Sequence, residues 1–186
     1  AGQPLVQRAT ADTASYTWTS AIEHSYQFFD TILHCLPDLE IPLARESRPP
    51  VLVYTDASFD RAGGLANAVL GFVIIDPVTH VWCYAIFVLP QWYYRFFASD
   101  KETYIMQAEL VAAIGAYFSM PITLRARPIL HFIDNTGALS ALVNGYASKS
   151  DCARFVNMFH VQLLSMRSKI YFDWVPSLAT RIANIA

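Results

Sequence analysis

Two apolar runs, Val51-Leu52-Val53-Tyr54-Thr55 and Ile129-Leu130-His131-Phe132-Ile133, each end on an aspartate, Asp56 and Asp134. Runs of this length, rich in β-branched and aromatic residues, read as buried strands. A third acid, Glu109, falls at helical spacing with Ile105, Ala108, Ala112 and Ala113, so that a helix here carries a carboxylate on its apolar face. Burying an ionised carboxylate alone costs several kcal/mol even after relaxation. Three of them converging would also raise one another's pKa values. A divalent cation removes both penalties, and an all-oxygen donor set suits Mg²⁺ or Mn²⁺. The alternative is three unrelated acids at strand ends and on a helix surface, and the apolar neighbours of Glu109 argue against it.

The rest of the chain reads as one α/β unit behind a helical extension. Ser20-Ala21-Ile22-Glu23 has the form of a capping box with Ser20 as N-cap, and Ile22, Tyr26, Phe29, Ile32, Leu33 and Leu36 follow at helical spacing. Four prolines between residues 37 and 50 mark a linker, so residues 1–49 form an N-terminal extension and residues 50–186 the main domain. After the strand ending at Asp56 comes a turn at Gly63-Gly64. Strands at 69–75 and 81–89 are joined by a hairpin-type loop, Asp76-Pro77-Val78-Thr79-His80. An aromatic stretch spans 91–98. A second capping box, Ser99 to Glu102, opens the Glu109 helix, which runs to about Phe118. The strand ending at Asp134 leads into a helix from Asn135-Thr136 to about Val143, closed by Asn144-Gly145. Ser150 is placed to cap a further helix, and a fifth strand covers 169–175. Three consecutive strands, then strands alternating with helices, specify a mixed five-stranded sheet flanked by helices.

Hydrophobic residues make up 54% of the 186 residues and charged ones 15%, below the quarter typical of soluble domains. No stretch of about 18 residues is free of charges, prolines and strongly polar groups, so no membrane-spanning helix is expected. The excess apolar surface points instead to contact with other protein, either the remainder of a polyprotein or a larger assembly. With a net charge of −2, the chain as a whole does not attract nucleic acid, and any such binding relies on local patches. Cys35, Cys83 and Cys152 lie far apart without metal-ligand spacing, which suits buried thiols in a reducing, intracellular compartment, cytoplasm or nucleus. The N-terminus Ala1-Gly2-Gln3-Pro4 has no signal-peptide pattern and reads as the start of a processed or excised piece.

Thr55-Asp56-Ala57-Ser58, Gln107-Ala108-Glu109-Leu110 and Phe132-Ile133-Asp134-Asn135 resemble the first three acidic motifs of the ribonuclease H family. Trp174-Val175-Pro176-Ser177 followed by Ala183-Asn184-Ile185-Ala186 is similar to the closing segment of the ribonuclease H domains fused to retroelement reverse transcriptases. The likeness covers roughly residues 50–186, and it implies a ribonuclease H-like fold. It further implies metal-dependent endonucleolytic cleavage of the RNA strand of an RNA/DNA hybrid. Asp56, Glu109 and Asp134 would be the catalytic residues, holding two Mg²⁺ or Mn²⁺ ions, with Asp56 touching both. The family's fourth acid, an aspartate, would directly follow Ala186, and Asp173 does not stand in that motif. The rival reading is a catalytically silent module of the same fold serving as a structural subunit of an assembly. A related two-metal nuclease or integrase is a third reading, against which the Val-Pro-Ser segment argues.

Substrate contacts are less sharply marked. Ser58, Asn135, Thr136, Lys149 and Arg154 are candidates for holding a nucleic-acid backbone, as are Arg125 and Arg127. Each has an ordinary alternative: Ser58 in a turn, Asn135-Thr136 as a helix cap, the basic residues as solvated surface charges. His131, between apolar neighbours on a strand, reads as a structural histidine. The aromatics from Trp92 to Phe97 could stack on bases, but packing in the core or against a partner is the better reading.

Overall fold

The apolar runs read as strands in the sequence form a single mixed sheet. The computed structural model describes residues 18–35, 48–62, 65–97 and 103–176. Its strands are β1 (Val51–Ala62), β2 (Leu65–Asp76), β3 (Val81–Val88), β4 (Pro128–Ile133) and β5 (Lys169–Trp174), in the order β3-β2-β1-β4-β5. β1, β2 and β3 form an antiparallel meander, while β4 runs parallel to β1 and β5 parallel to β4. The helices are α1 (Ser20–Cys35), α2 (Ile105–Ser119), α3 (Pro121–Leu124), α4 (Thr136–Asn144) and α5 (Ser150–Ser165), with a 3₁₀ turn at Gln91–Phe96. The expected five-stranded α/β architecture is borne out. The chain divides into two compact units, Ala1–Glu40, which carries α1, and Ile41–Ala186, which carries the sheet. No described helix is long and apolar enough to cross a membrane.

α2 is apolar almost all round because it is enclosed almost all round, lying on β1 and β2 and against α5. Gly115 permits its close approach, since a Cβ there would stand 3.2 Å from Phe87 Cζ. One face of the sheet therefore packs on α2 and α5 through Val53, Thr55, Leu70, Phe72, His131 and Phe172. Side chains of the other face are set half a pleat away, where Tyr54 stacks on Phe132 at a 4.6 Å centroid separation. Tyr93, Phe97, Tyr104 and Phe155 meet edge-on, stacked or tilted, which ties the 3₁₀ turn to α2 and α5. The aromatic stretch is thus mostly packing, and only Trp92 is strongly exposed, with Arg95 lying over its ring.

Several buried polar groups are paired across elements. His131 is fully buried between Thr55 Oγ1, 2.9 Å from Nε2, and the Tyr117 hydroxyl, 3.3 Å from Nδ1, as its structural reading required. Burial pushes its pKa down to about 3, so the ring is neutral at physiological pH. Gln107 Nε2 donates to Asp151 Oδ2 at 2.9 Å and joins α2 to the start of α5. Arg127 grips Asp76 with both terminal nitrogens, at 2.9 and 3.0 Å. These hydrogen bonds hold the Asp76 carboxyl far below the usual carboxylate range. Because β1 lies between β2 and β4, this ion pair straddles the central strand at the end where β1 begins.

Several local expectations need correction. β1 does not stop at Asp56 but continues to Ala62, because antiparallel pairing with β2 persists to Ala62↔Leu65. The N-cap of α1 is Thr19, whose Oγ1 accepts from Ile22 N at 3.3 Å; Ser20 is already helical. Lys149, not Ser150, is the N-cap of α5, and it makes no side-chain cap bond. Arg127, a candidate phosphate contact, is bound to Asp76 at the end of the sheet where β1 begins, opposite the end that carries the acids. No disulfide joins the cysteines; Cys152 is buried and Cys83 half-buried, but Cys35 is exposed, contrary to the expectation of three buried thiols. The Gly63-Gly64 turn, the capping box at 99–102, the linker from 37 to 47, the N-terminal 17 residues and the segment from 177 to 186 lie outside the described residues.

Two stability measurements follow. Arg127→Met strands a buried carboxylate and is expected to lower the unfolding free energy by about 3 kcal/mol, read from urea denaturation at pH 7. Below about pH 6.5, the unfolded chain takes up a proton at His131 that the folded chain refuses until about pH 3. Stability falls with pH across that window, and His131→Gln should flatten that part of the pH–stability curve, whatever it does to the absolute stability.

Candidate metal centre

β1 and β4 part company just where the acids stand. Their parallel pairing ends at Thr55↔Ile133; beyond it β1 continues against β2, and β4 ends. Asp56 and Asp134 are the next residue on each side of that fork. α2 crosses beneath β1 and brings Glu109 from below, in the helix's second turn. One carboxylate oxygen from each of Asp56, Glu109 and Asp134 lies within 4.8 Å of the other two. The three acids singled out in the sequence are therefore brought together.

Their environments differ. Glu109 is 2% exposed, whereas Asp56 and Asp134 are half-buried. The Ala57 amide N–H is shared, donating to Asp56 Oδ1 at 2.9 Å and to Glu109 Oε1 at 3.3 Å. Glu109 Oε2 is buried and has no hydrogen-bond partner among the described residues. Desolvation, then the charges of Asp134 and Asp56, push the Glu109 pKa up to about 9, only partly opposed by the Ala57 bond. A buried oxygen without a partner, on a carboxylate that stands beside two others, is a donor that a hard divalent cation satisfies. The donor set fits Mg²⁺ or Mn²⁺.

Supporting contacts add two residues whose roles the sequence did not reveal. Trp174 on β5 donates its indole N–H to the Asp134 carbonyl at 2.9 Å, which pins the backbone where β4 ends. Ala57 acts only through its amide, which no sequence pattern announces. Asn135 is the N-cap of α4, its Oδ1 accepting from Ala138 N at 3.0 Å, and Gly145 closes the same helix at φ 65°. Thr136, Ser58, Lys149 and Arg154 are all exposed: Thr136 opens α4, Ser58 lies two residues past Asp56 on β1, and Lys149 and Arg154 stand at and within α5. Asn135 thus has a structural task, while the other four are accessible surface groups.

Without a cation, burial and the neighbouring acids force Glu109 to take up a proton on folding at pH 7, a cost that an amide of the same shape does not carry. Glu109→Gln is expected to stabilise the protein in EDTA by roughly 1–3 kcal/mol at pH 7, measured by urea denaturation.

Known structures share this architecture. A ribonuclease H1 from the halophilic archaeon Halobacterium salinarum NRC-1 superposes with a TM-score of 0.57 at 16% identity, covering 74% of this chain and 93% of its own. LC11-RNase H1, isolated from compost by a metagenomic approach, gives 0.57 at 15% identity, covering 73% and 91%. The N-terminal RNase H domain of a Mycobacterium tuberculosis protein gives 0.52 at 15% identity, covering 73% and 93%. No family model matches the sequence. No curated protein matches it either. At these identities the likeness is one of fold: this chain has the ribonuclease H-like fold that its acidic motifs led us to expect.

Proposed function

We propose that this chain is a metal-dependent endonuclease that cuts the RNA strand of an RNA/DNA hybrid. The observation that carries the reading is the meeting of Asp56, Glu109 and Asp134, with a buried Glu109 oxygen that lacks a hydrogen bond, at the end of the β1–β4 pair. The ribonuclease H-like fold supports it, as does the Val175-Pro176-Ser177 segment, which also favours an origin in a reverse transcriptase-like polyprotein.

Asp56, Glu109 and Asp134 would together hold two Mg²⁺ or Mn²⁺ ions, with Asp56 shared by both as the family resemblance implies. Bound there, such ions supply Lewis acidity to the attacking water and to the leaving 3′ oxygen. Glu109 must give up its proton on loading, and its Oε2 then gains the partner it lacks. The Ala57 N–H keeps Asp56 Oδ1 and Glu109 Oε1 at a fixed spacing, and Trp174 keeps Asp134 from swinging away with its backbone. These restraints come before substrate binding, so little reordering remains when the scissile phosphate arrives. Recognition of the ribose 2′-hydroxyl beside Glu109 would make the cut specific for RNA. Ser58, Thr136, Lys149 and Arg154 are the accessible groups that would hold the hybrid's backbone.

Incubation of a labelled RNA/DNA hybrid with the protein and Mg²⁺ should release RNA fragments, while a DNA duplex stays intact. Asp134→Asn should slow cleavage by about 100-fold or more, and Mg²⁺ should raise the melting temperature of the parent protein but not of Glu109→Gln. An intact hybrid together with no Mg²⁺ effect on melting would reject the enzyme and favour a silent structural module.

A further inference from the structure

β3 is an outer strand of the sheet, and its eight residues, Val81-Trp82-Cys83-Tyr84-Ala85-Ile86-Phe87-Val88, include no charge, no proline and no glycine. Edge strands are ordinarily kept from pairing by charges, prolines or bulges. Here the register with β2 runs without interruption from Val69↔Val88 to Asp76↔Val81. Leu89 N donates to Ala68 O at 2.9 Å, which sets the alternation of the ladder. Cys83, Ala85 and Phe87 turn their N–H and C=O groups toward β2, and Trp82, Tyr84, Ile86 and Val88 turn theirs toward the open edge. Among the described residues no strand pairs with that edge. The side chains of the same four residues stand on the face away from α2 and are 63%, 68%, 44% and 61% exposed.

We propose that β3 pairs antiparallel with β3 of a second copy of this chain, joining the two sheets across a two-fold axis. Self-pairing asks for a strand that is compatible with its own reversal. A two-fold centred on Ala85 sets Trp82 opposite Val88 and Tyr84 opposite Ile86, each at an edge-facing position able to exchange both backbone hydrogen bonds. Both are pairs of an aromatic with a β-branched residue, which favour one another across strands. Because the strand is neutral, the two-fold brings no charge against its own copy. A partner of opposite charge would find nothing on β3 to recognise, so the electrostatics suit a second copy. This inference stands apart from the nuclease reading, since it uses none of the acids.

Sedimentation equilibrium of the full chain should show a reversible dimer. Tyr84→Lys and Ile86→Lys, both at exposed positions, should each raise the dissociation constant by about 100-fold or more. Tyr171→Lys, on the same face of β5 at the far edge of the sheet, should leave it unchanged. In a Cys35→Ser, Cys83→Ser background, Ala85→Cys should oxidise to a covalent dimer, because residue 85 meets its own copy at the closely spaced, non-hydrogen-bonded position. A monomer at every concentration overturns the proposal. So does a dimer that survives Tyr84→Lys, dissolves with Tyr171→Lys, or fails to cross-link through residue 85. Far-ultraviolet circular dichroism of each variant checks that the monomer remains folded.

Discussion

A carboxylate buried without a counter-charge is the constraint on which this architecture turns. Glu109 sits in the most enclosed of the described helices, and desolvation together with two neighbouring acids drives its pKa to about 9. Such a position would be unfavourable in any fold that needed only a packed helix there. It is tolerable where the surrounding structure holds all three acids in one geometry and a cation can be shared between them. The fork at which β4 ends while β1 runs on provides that geometry, because it opens the sheet without breaking the central strand.

Much of this was legible in the sequence because the acids interrupt strong apolar patterns. The runs ending at Asp56 and Asp134 are strands of the sheet's centre with one face fully buried, and the spacing around Glu109 is that of an enclosed helix, so element type and side-chain placement could be read together. Elsewhere the signals were weaker. Ala57 to Ala62 looks like a polar turn, yet it is strand, since pairing with β2 outweighs local composition. Thr19 and Ser20 are adjacent hydroxyl residues with equal claims to a cap, and only the backbone chooses between them. Asp76 reads as a turn residue before a proline and Arg127 as a surface cation. Their bidentate bond depends on two segments meeting across β1, which no local pattern encodes.

The two ends of the sheet are held by different means. At one end Arg127 ties β2 to β4 over the start of β1, with a third, longer contact of 3.5 Å to the Pro49 carbonyl. At the other end Trp174, the Ala57 amide and the Asn135 cap restrain the acids and the backbone around them. The aromatic group of Tyr93, Phe97, Tyr104 and Phe155 anchors α2 one turn before Glu109, so the helix carries its acid on a rigid base.

The order of strands has a kinetic consequence. β1, β2 and β3 are neighbours in sequence as well as in space, so the meander can form by short loop closures. Docking β4 beside β1 closes a far longer loop and is the slower event. Until it occurs, Asp134 is remote from Asp56, and a half-formed chain emerging during synthesis cannot assemble the trio. The meeting of the three acids therefore waits on the pairing of β4 with β1, late in the formation of the sheet.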